Sequence, residues 1–325
     1  MDDFLWRWKH FGGWVAGAIG VILAAFAGFD LLERLTHSVS LQALLATIYL
    51  GVLVVGVFVL CSWRIWMTIR KERYANITRQ THAILHDIRD LQTFIRTSEP
   101  VGEGRAAYET FMGNCRIMFT DILDHLNTAF TSLTSTNCRA AIKLTYVRNG
   151  VLYLYTLTRD KTSLKDCRNL DNKRIERDHD PLDRNPQFAK LFDAQQECWH
   201  FISNNLMKEK NFRTTSAAAY DENWGADLNA DGRKRWPLPY RSTVTCVIRQ
   251  AQFDFDQSRK SEVLGFLSVD SQSRGVFEPR WDVELLFAVG DALYAPIQAY
   301  LEVQARAEGV PGGAGRLLPT QSIKT

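Results

Sequence analysis

The amino-acid sequence predicts an α+β protein in three parts: two transmembrane helices, a helical stalk, and a domain whose antiparallel sheet is flanked by helices. Three observations carry that expectation. Residues 12–29 and 38–63 contain no Asp, Glu, Lys or Arg. Apolar residues then recur at heptad spacing as far as residue 95. Further on, an Asn149-Gly150 pair separates two alternating apolar runs, which is a strong hairpin signal because both residues tolerate positive φ.

Each uncharged stretch is about as long as a helix needs to cross a bilayer core of roughly 30 Å. A core helix of a soluble domain keeps a polar stripe, and "ALLATIYLGVLVVGVFVLC" at 43–61 has none. The first stretch has an alternative as a cleavable signal peptide, with Arg7 and Lys9 before it and "AFA" at 25–27. Cations set the orientation. Arg7 and Lys9 flank the first stretch, the connector "DLLERLTHSVS" has Arg34 alone, and Arg64, Arg70, Lys71 and Arg73 follow the second stretch. Positive flanks stay inside, so an inner-membrane, multi-pass protein with both termini cytoplasmic is expected. Residues 1–67 form this two-span hairpin, with membrane lipid as a partner. The balance of 39 basic and 36 acidic residues gives no pull toward nucleic acid, and none is expected.

Residues 68–98 are expected to form a juxtamembrane stalk. Ile77, Thr81, Ile84, Ile88, Leu91 and Ile95 alternate at steps of four and three, a heptad seam broken by one threonine. The favoured reading is a parallel homodimer through Ile77, Ile84, Ile88, Leu91 and Ile95. The alternative is a helix folded back on its own domain. Pro100, Gly102 and Gly104 in "SEPVGEG" end the helix and make 99–105 a linker.

A new helix follows, with Phe111, Cys115, Met118, Ile122, Leu126 and Ala129 on one face. The hairpin around Asn149-Gly150 comes next. The segment 161–239 is polar and irregular, with one helix expected around "PQFAKLFDAQQECWHFISNNL". Strands are expected from Tyr240 and from Glu262, then a helix over 279–307 with Leu286, Val289, Leu293, Ile297 and Leu301 on one face. The tail, 308–325, has too little apolar content to fold alone.

This order of elements resembles a GAF domain over roughly 106–303. The best-matching residues are "VLGFLSVDSQSRGVFEPRWDVELLFAVGDALYAPIQAYL" at 263–301, which look like that family's closing strand, small-residue turn, the Phe277 before the last helix, and that helix. "YRSTVTCVIR" at 240–249 looks like the preceding strand, without the proline often found there. The resemblance implies a GAF-like cytoplasmic domain at 106–307, acting as a small-molecule sensor or dimerisation module, with a ligand cavity roofed by 180–240. The Asn-Lys-Phe-Asp-Glu set of cyclic-nucleotide-binding members is not evident in order, and no cysteine stands in a context assignable to bilin attachment. No cofactor is expected.

Tyr220, Trp224, Trp236 and Tyr240 with Arg241 are the candidate cavity lining, since stacking rings beside one cation suit a planar anion. Their alternative is core packing at the sheet edge. In "DLNADGR", Asp227, Asn229 and Asp231 match the first half of a Ca²⁺ loop, but Leu238 stands where the bidentate acid belongs and Arg233, Lys234 and Arg235 are adjacent, so no metal is expected. The six cysteines form no CxxC pair, and Cys167, His179, Cys198 and His200 lack zinc spacing. No nucleophile elbow, phosphate-binding glycine loop or HExxH motif occurs, and the protein is not expected to be an enzyme.

The function expected is a membrane-anchored cytoplasmic sensor or signalling module that binds a small ligand or partner protein. Two alternatives stand beside it. One is a membrane-perturbing effector, as in a phage-defence or toxin-like system, triggered through the soluble domain. The other is a structural membrane adaptor.

Overall fold

The computed structural model describes residues 39–164, 180–193, 199–209, 212–214, 236, 238–249 and 263–308. The first expected span, the connector, Tyr220, Trp224, the Asp227–Asp231 loop and the tail beyond 308 lie outside the described residues. The chain divides into two compact units, Met1–Tyr74 and Ala75–Thr325.

Helix α1, Val39–Thr97, begins in the first unit and ends in the second. Its apolar part is long enough to cross a membrane, with a mean hydropathy of 2.1 and none of that window buried. Among the described residues this is the one such helix, so a second span is not described.

In the second unit, α1 is followed by a reversal at Pro100–Gly102, where Gly102 takes φ +80°, and then by α2, Arg105–Thr134. The Phe94 and Phe111 rings stack at 5.2 Å, His125 approaches Asp87 at 3.5 Å, and Asn76 Nδ2 donates to Ser132 Oγ at 2.5 Å. Late residues of α1 thus meet early residues of α2, and the two form an antiparallel hairpin. The seam expected to face a second chain is consumed here: Ile84, Ile88, Leu91 and Ile95 are 0–6 % exposed within one chain's core. Ile77 is half-buried, and Thr81 Oγ1 donates back to the Ile77 carbonyl at 2.9 Å. This is the folded-back arrangement given above as the alternative to a dimer stalk. The heptad stripe finds its complementary stripe on α2, so most of 68–98 belongs to the folded unit.

The sheet has six antiparallel strands: β1 Cys138–Arg148, β2 Val151–Arg159, β3 Asp180–Pro181, β4 His200–Ser203, β5 Ser242–Arg249 and β6 Val263–Ser271, in the order β3-β2-β1-β6-β5-β4. Asn149 (φ 53°) and Gly150 (φ 75°) make the tight β1–β2 turn as expected. The helix expected around 186–206 is shorter. Pro186–Phe192 form α3, while His200–Ser203 pair with β5 as an edge strand because Thr243–Cys246 offer them an open ladder.

Strand alternation puts Ile142, Leu144, Val244, Cys246, Leu267 and Val269 on one face. They pack with Phe119, Ile122, Leu126 and Phe130 of α2 and with Leu286, Val289, Leu293 and Ile297 of α4, Pro279–Glu308. Two glycines permit the closest approaches. A Cβ at Gly265 would run into the Lys143 carbonyl between β1 and β6, and one at Gly290 would sit 3.0 Å from Cys246 Sγ, between α4 and β5. Burial of this face removes several large side chains from water at about 1.5–3 kcal/mol each.

Asp282 opens α4, and its carboxylate accepts the Glu278 N–H at 2.8 Å. Burial raises this carboxyl from 3.8 to about 6, against the lowering effect of that hydrogen bond, and the Glu278 charge adds to the rise. The native carboxyl therefore holds its proton better than the unfolded one. This group makes the fold lose stability as pH rises through the window from about 4 to 6. Asp282→Asn should flatten that part of the profile, measured as the difference in melting temperature between variant and wild type across the window.

Ile84→Asp or Ile88→Asp should destabilise the soluble unit by roughly 3 kcal/mol or more, because each places a carboxylate in the chain's own core. Leu85→Asp, at a site 50 % exposed, should melt close to wild type. Thermal denaturation followed by circular dichroism checks this, and a wild-type melt for Ile84→Asp would restore the seam to an interface between chains.

Candidate functional site

The opposite face of the sheet is divided. One part is apolar, where Leu154, Leu182, Phe188, Leu191, Val247 and Phe266 form a second cluster under α3. The other part is polar. The register aligns Arg139 and Thr243 with Asp270, and Ala141 and Thr245 with Ser268. Thr243, Thr245 and Ser268 are buried. Strands buried on both faces are normally near-continuous hydrophobic runs, so a stripe of hydroxyls and a carboxylate under a roof departs from ordinary packing.

This stripe floors a small cleft of about 30 Å³, room for one or two waters. Gln187 and Phe188 of α3, Phe201 of β4, Phe212 and Tyr240 enclose it. Thr245 Oγ1 and Ser268 Oγ lie 2.9 Å apart. Lys143 Nζ sits 5.0 Å from the centre of the Phe188 ring, and that ring lies 4.9 Å from the Phe266 ring. Gln187 is 9 % exposed, and its Oε1 has no hydrogen-bond partner among the described residues. An acceptor left unmade in a buried place costs about 1–3 kcal/mol, which a donor entering the cleft would recover.

Electrostatics centre on Asp270. Burial raises its carboxyl above the usual range, while the Thr243 hydroxyl and the Lys143, Arg159 and Arg139 charges act to lower it. Of these charged groups, Lys143 and Asp270 themselves line the cleft.

The roof segment starts from a fixed point. Asp160 is fully buried, and its carboxylate accepts from the Ala140 N–H (2.8 Å), the Ser163 N–H (2.9 Å), the Ser163 hydroxyl (2.6 Å) and Asn127 Nδ2 (3.3 Å). At the far end, Asn204 ties β4 to the turn before α4 through the Phe277 carbonyl (2.7 Å) and N–H (2.8 Å).

Of the aromatic set expected to line the cavity, Tyr240 reaches the cleft. Trp236 packs 6.2 Å from Phe212 in a small cluster with Leu206 and Leu238, and its Nε1–H is donated to the Tyr240 carbonyl at 2.6 Å. The Arg241 side chain is exposed, while its backbone joins Ser271 and Leu206. Tyr220 and Trp224 are outside the described residues. The residues that form the polar floor, Thr243, Thr245, Ser268 and Asp270, were not singled out from the sequence. Their signal was the alternation of hydroxyl and apolar residues in "STVTCV" and "LSVDS", which is unusual for inner strands.

No cluster of His, Cys, Asp and Glu suited to a metal occurs among the described residues. Cys115 and Cys246 are buried, which pushes the Cys115 thiol up to about 12 and the Cys246 thiol higher still.

No protein-family model matches the chain, and no curated protein does. Among solved structures it is similar to the chromophore-binding domain of an unusual bacteriophytochrome, RpBphP3 from R. palustris, at 10 % identity and a TM-score of 0.33. The match covers 70 % of this chain and 64 % of that one.

Proposed function

We propose that the chain is a membrane-anchored sensor whose soluble α+β unit, GAF-like in the order of its elements, binds a compact polar ligand between the sheet and α3. The observation that carries this reading is the unpartnered Gln187 Oε1 facing a floor of buried hydroxyls. Gln187 calls for an N–H or O–H donor on the ligand, and the hydroxyls of Thr243, Thr245 and Ser268 offer it further hydrogen bonds. A small molecule bearing an amide, amine or several hydroxyls meets both requirements. At about 30 Å³ the cleft is smaller than such a molecule, so binding is expected to displace α3 from the floor.

The test is a thermal-shift screen of the full chain in detergent against small hydroxy acids, amino acids and nucleotides. A ligand present at 100 times its Kd should stabilise by about 2.7 kcal/mol. That shift should be lost in Thr245→Val and Gln187→Leu. If Gln187→Leu simply raises the melting temperature and no compound shifts the wild type, the stripe is packing and the sensor reading fails.

The anchor has its own test. Arg64, Arg70, Lys71 and Arg73 after the apolar part of α1 support a cytoplasmic soluble unit, because positive flanks stay inside. A reporter fused after Thr325 should be cytoplasmic, and a cysteine introduced at Thr36 should react from outside. Labelling of the soluble unit from outside intact cells would overturn this topology.

A further inference from the structure

Where the apolar part of α1 meets its cations, the side chains are arranged by face. Trp63, Trp66, Arg70 and Arg73 follow one another at steps of three, four and three, which keeps them on one side of the helix, while Arg64 and Lys71, seven apart, share a different side. Trp63 and Trp66 are 59 % and 50 % exposed, and their rings lie 5.4 Å apart. The Arg70 guanidinium stands 5.3 Å from the centre of the Trp66 ring. On the apolar side of this group runs an open cleft of about 410 Å³ lined by Phe58, Val59, Ser62, Trp63 and Trp66. The one acid between residues 64 and 73, Glu72, points away from the ridge by helical position.

We infer that this ridge is a binding site for an anionic phospholipid, its acyl chain in the Phe58–Trp66 cleft and its phosphate on Arg70 and Arg73. The inference rests on the membrane-anchoring reading. A rise of 1.5 Å per residue puts Arg70 about 6 Å beyond Trp66, so that an interfacial Trp66 ring leaves the guanidinium among the headgroups. Guanidinium groups fork onto phosphate oxygens, and the Trp66 ring holds Arg70 in place for that contact. Charge complementarity selects the occupant. With two cations and no acid on this side, a lipid of net negative charge is favoured over a zwitterionic one, whose own ammonium neutralises its phosphate.

The experiment uses the full chain in phosphatidylcholine vesicles, with spin-labelled phosphatidylglycerol or phosphatidylcholine as the probe and the motionally restricted fraction as the readout. Phosphatidylglycerol should be preferred by at least about fivefold. The double variant Arg70→Gln, Arg73→Gln should bring the preference close to one, while Arg64→Gln, Lys71→Gln should keep most of it. Equal losses in the two double variants would show a diffuse attraction and overturn the site, as would a preference unchanged in both. Failure of the wild-type chain to float with either vesicle would overturn the anchoring itself, an outcome distinct from insertion without lipid preference.

Discussion

In β1, β5 and β6 the two-residue alternation is held in one common register, and both faces of the soluble unit follow from it. Ala140, Ile142 and Leu144 stand beside Val269, Leu267 and Gly265, which in turn stand beside Val244, Cys246 and Ile248. This face is closed by α2 and α4. The same register sends Thr243, Thr245, Ser268 and Asp270 to the other face. A slip of one residue in either β1–β6 or β5–β6 would exchange the faces of the slipped strand, turning its apolar residues toward the cleft and its polar ones into the core. The hydrophobic core and the candidate site are therefore not independent features. The Gly265 backbone, pressed against the Lys143 carbonyl, helps to lock the register at the centre of the sheet.

Much of this was legible in the sequence and some of it was not, for reasons that differ by element. Asn149-Gly150 announced its hairpin because the turn needs two residues at positive φ and these two supply them locally. The helices α2 and α4 were legible by period, since each presents one apolar face to one sheet. The seam of α1 was legible as a seam but not as an interface. A stripe of Ile84, Ile88, Leu91 and Ile95 looks the same whether its complement comes from a second chain or from the same one. The deciding features, the reversal at Pro100–Gly102 and the matching stripe on α2, lie outside the repeat. β4 was missed because four residues paired to an edge carry almost no periodic signal.

The candidate site was the least legible part. Rings and an arginine near Trp236 drew attention as a ligand platform, but Trp236 spends its donor on the Tyr240 carbonyl and its ring on Phe212. The cleft is instead floored by small hydroxyl residues that read as ordinary strand formers one at a time. They acquire meaning only when the register sets β5 and β6 side by side and α3 covers them. Gln187 completes the arrangement from a short helix 56 or more residues away in sequence from the nearest of them, a relation that no local pattern contains.

The floor of the cleft and the end of α1 are joined through packed elements. β5 carries Thr243 and Thr245 on its cleft face and Val244 and Cys246 against α4 on the other. The last turn of α4 holds Arg306, whose guanidinium pairs with both oxygens of Glu99, at 2.7 and 2.9 Å, just past the end of α1. Arg306 is 52 % exposed, so solvent screening leaves this pair worth about 1 kcal/mol or less. The buried seam decides the matter, because Ile84, Ile88, Leu91 and Ile95 each contribute about 1.5–3 kcal/mol of burial in the same cluster as Leu286, Val289 and Leu293. Burial of the seam in that shared cluster therefore outweighs the Arg306–Glu99 pair as the tie between the end of α1 and the rest of the unit.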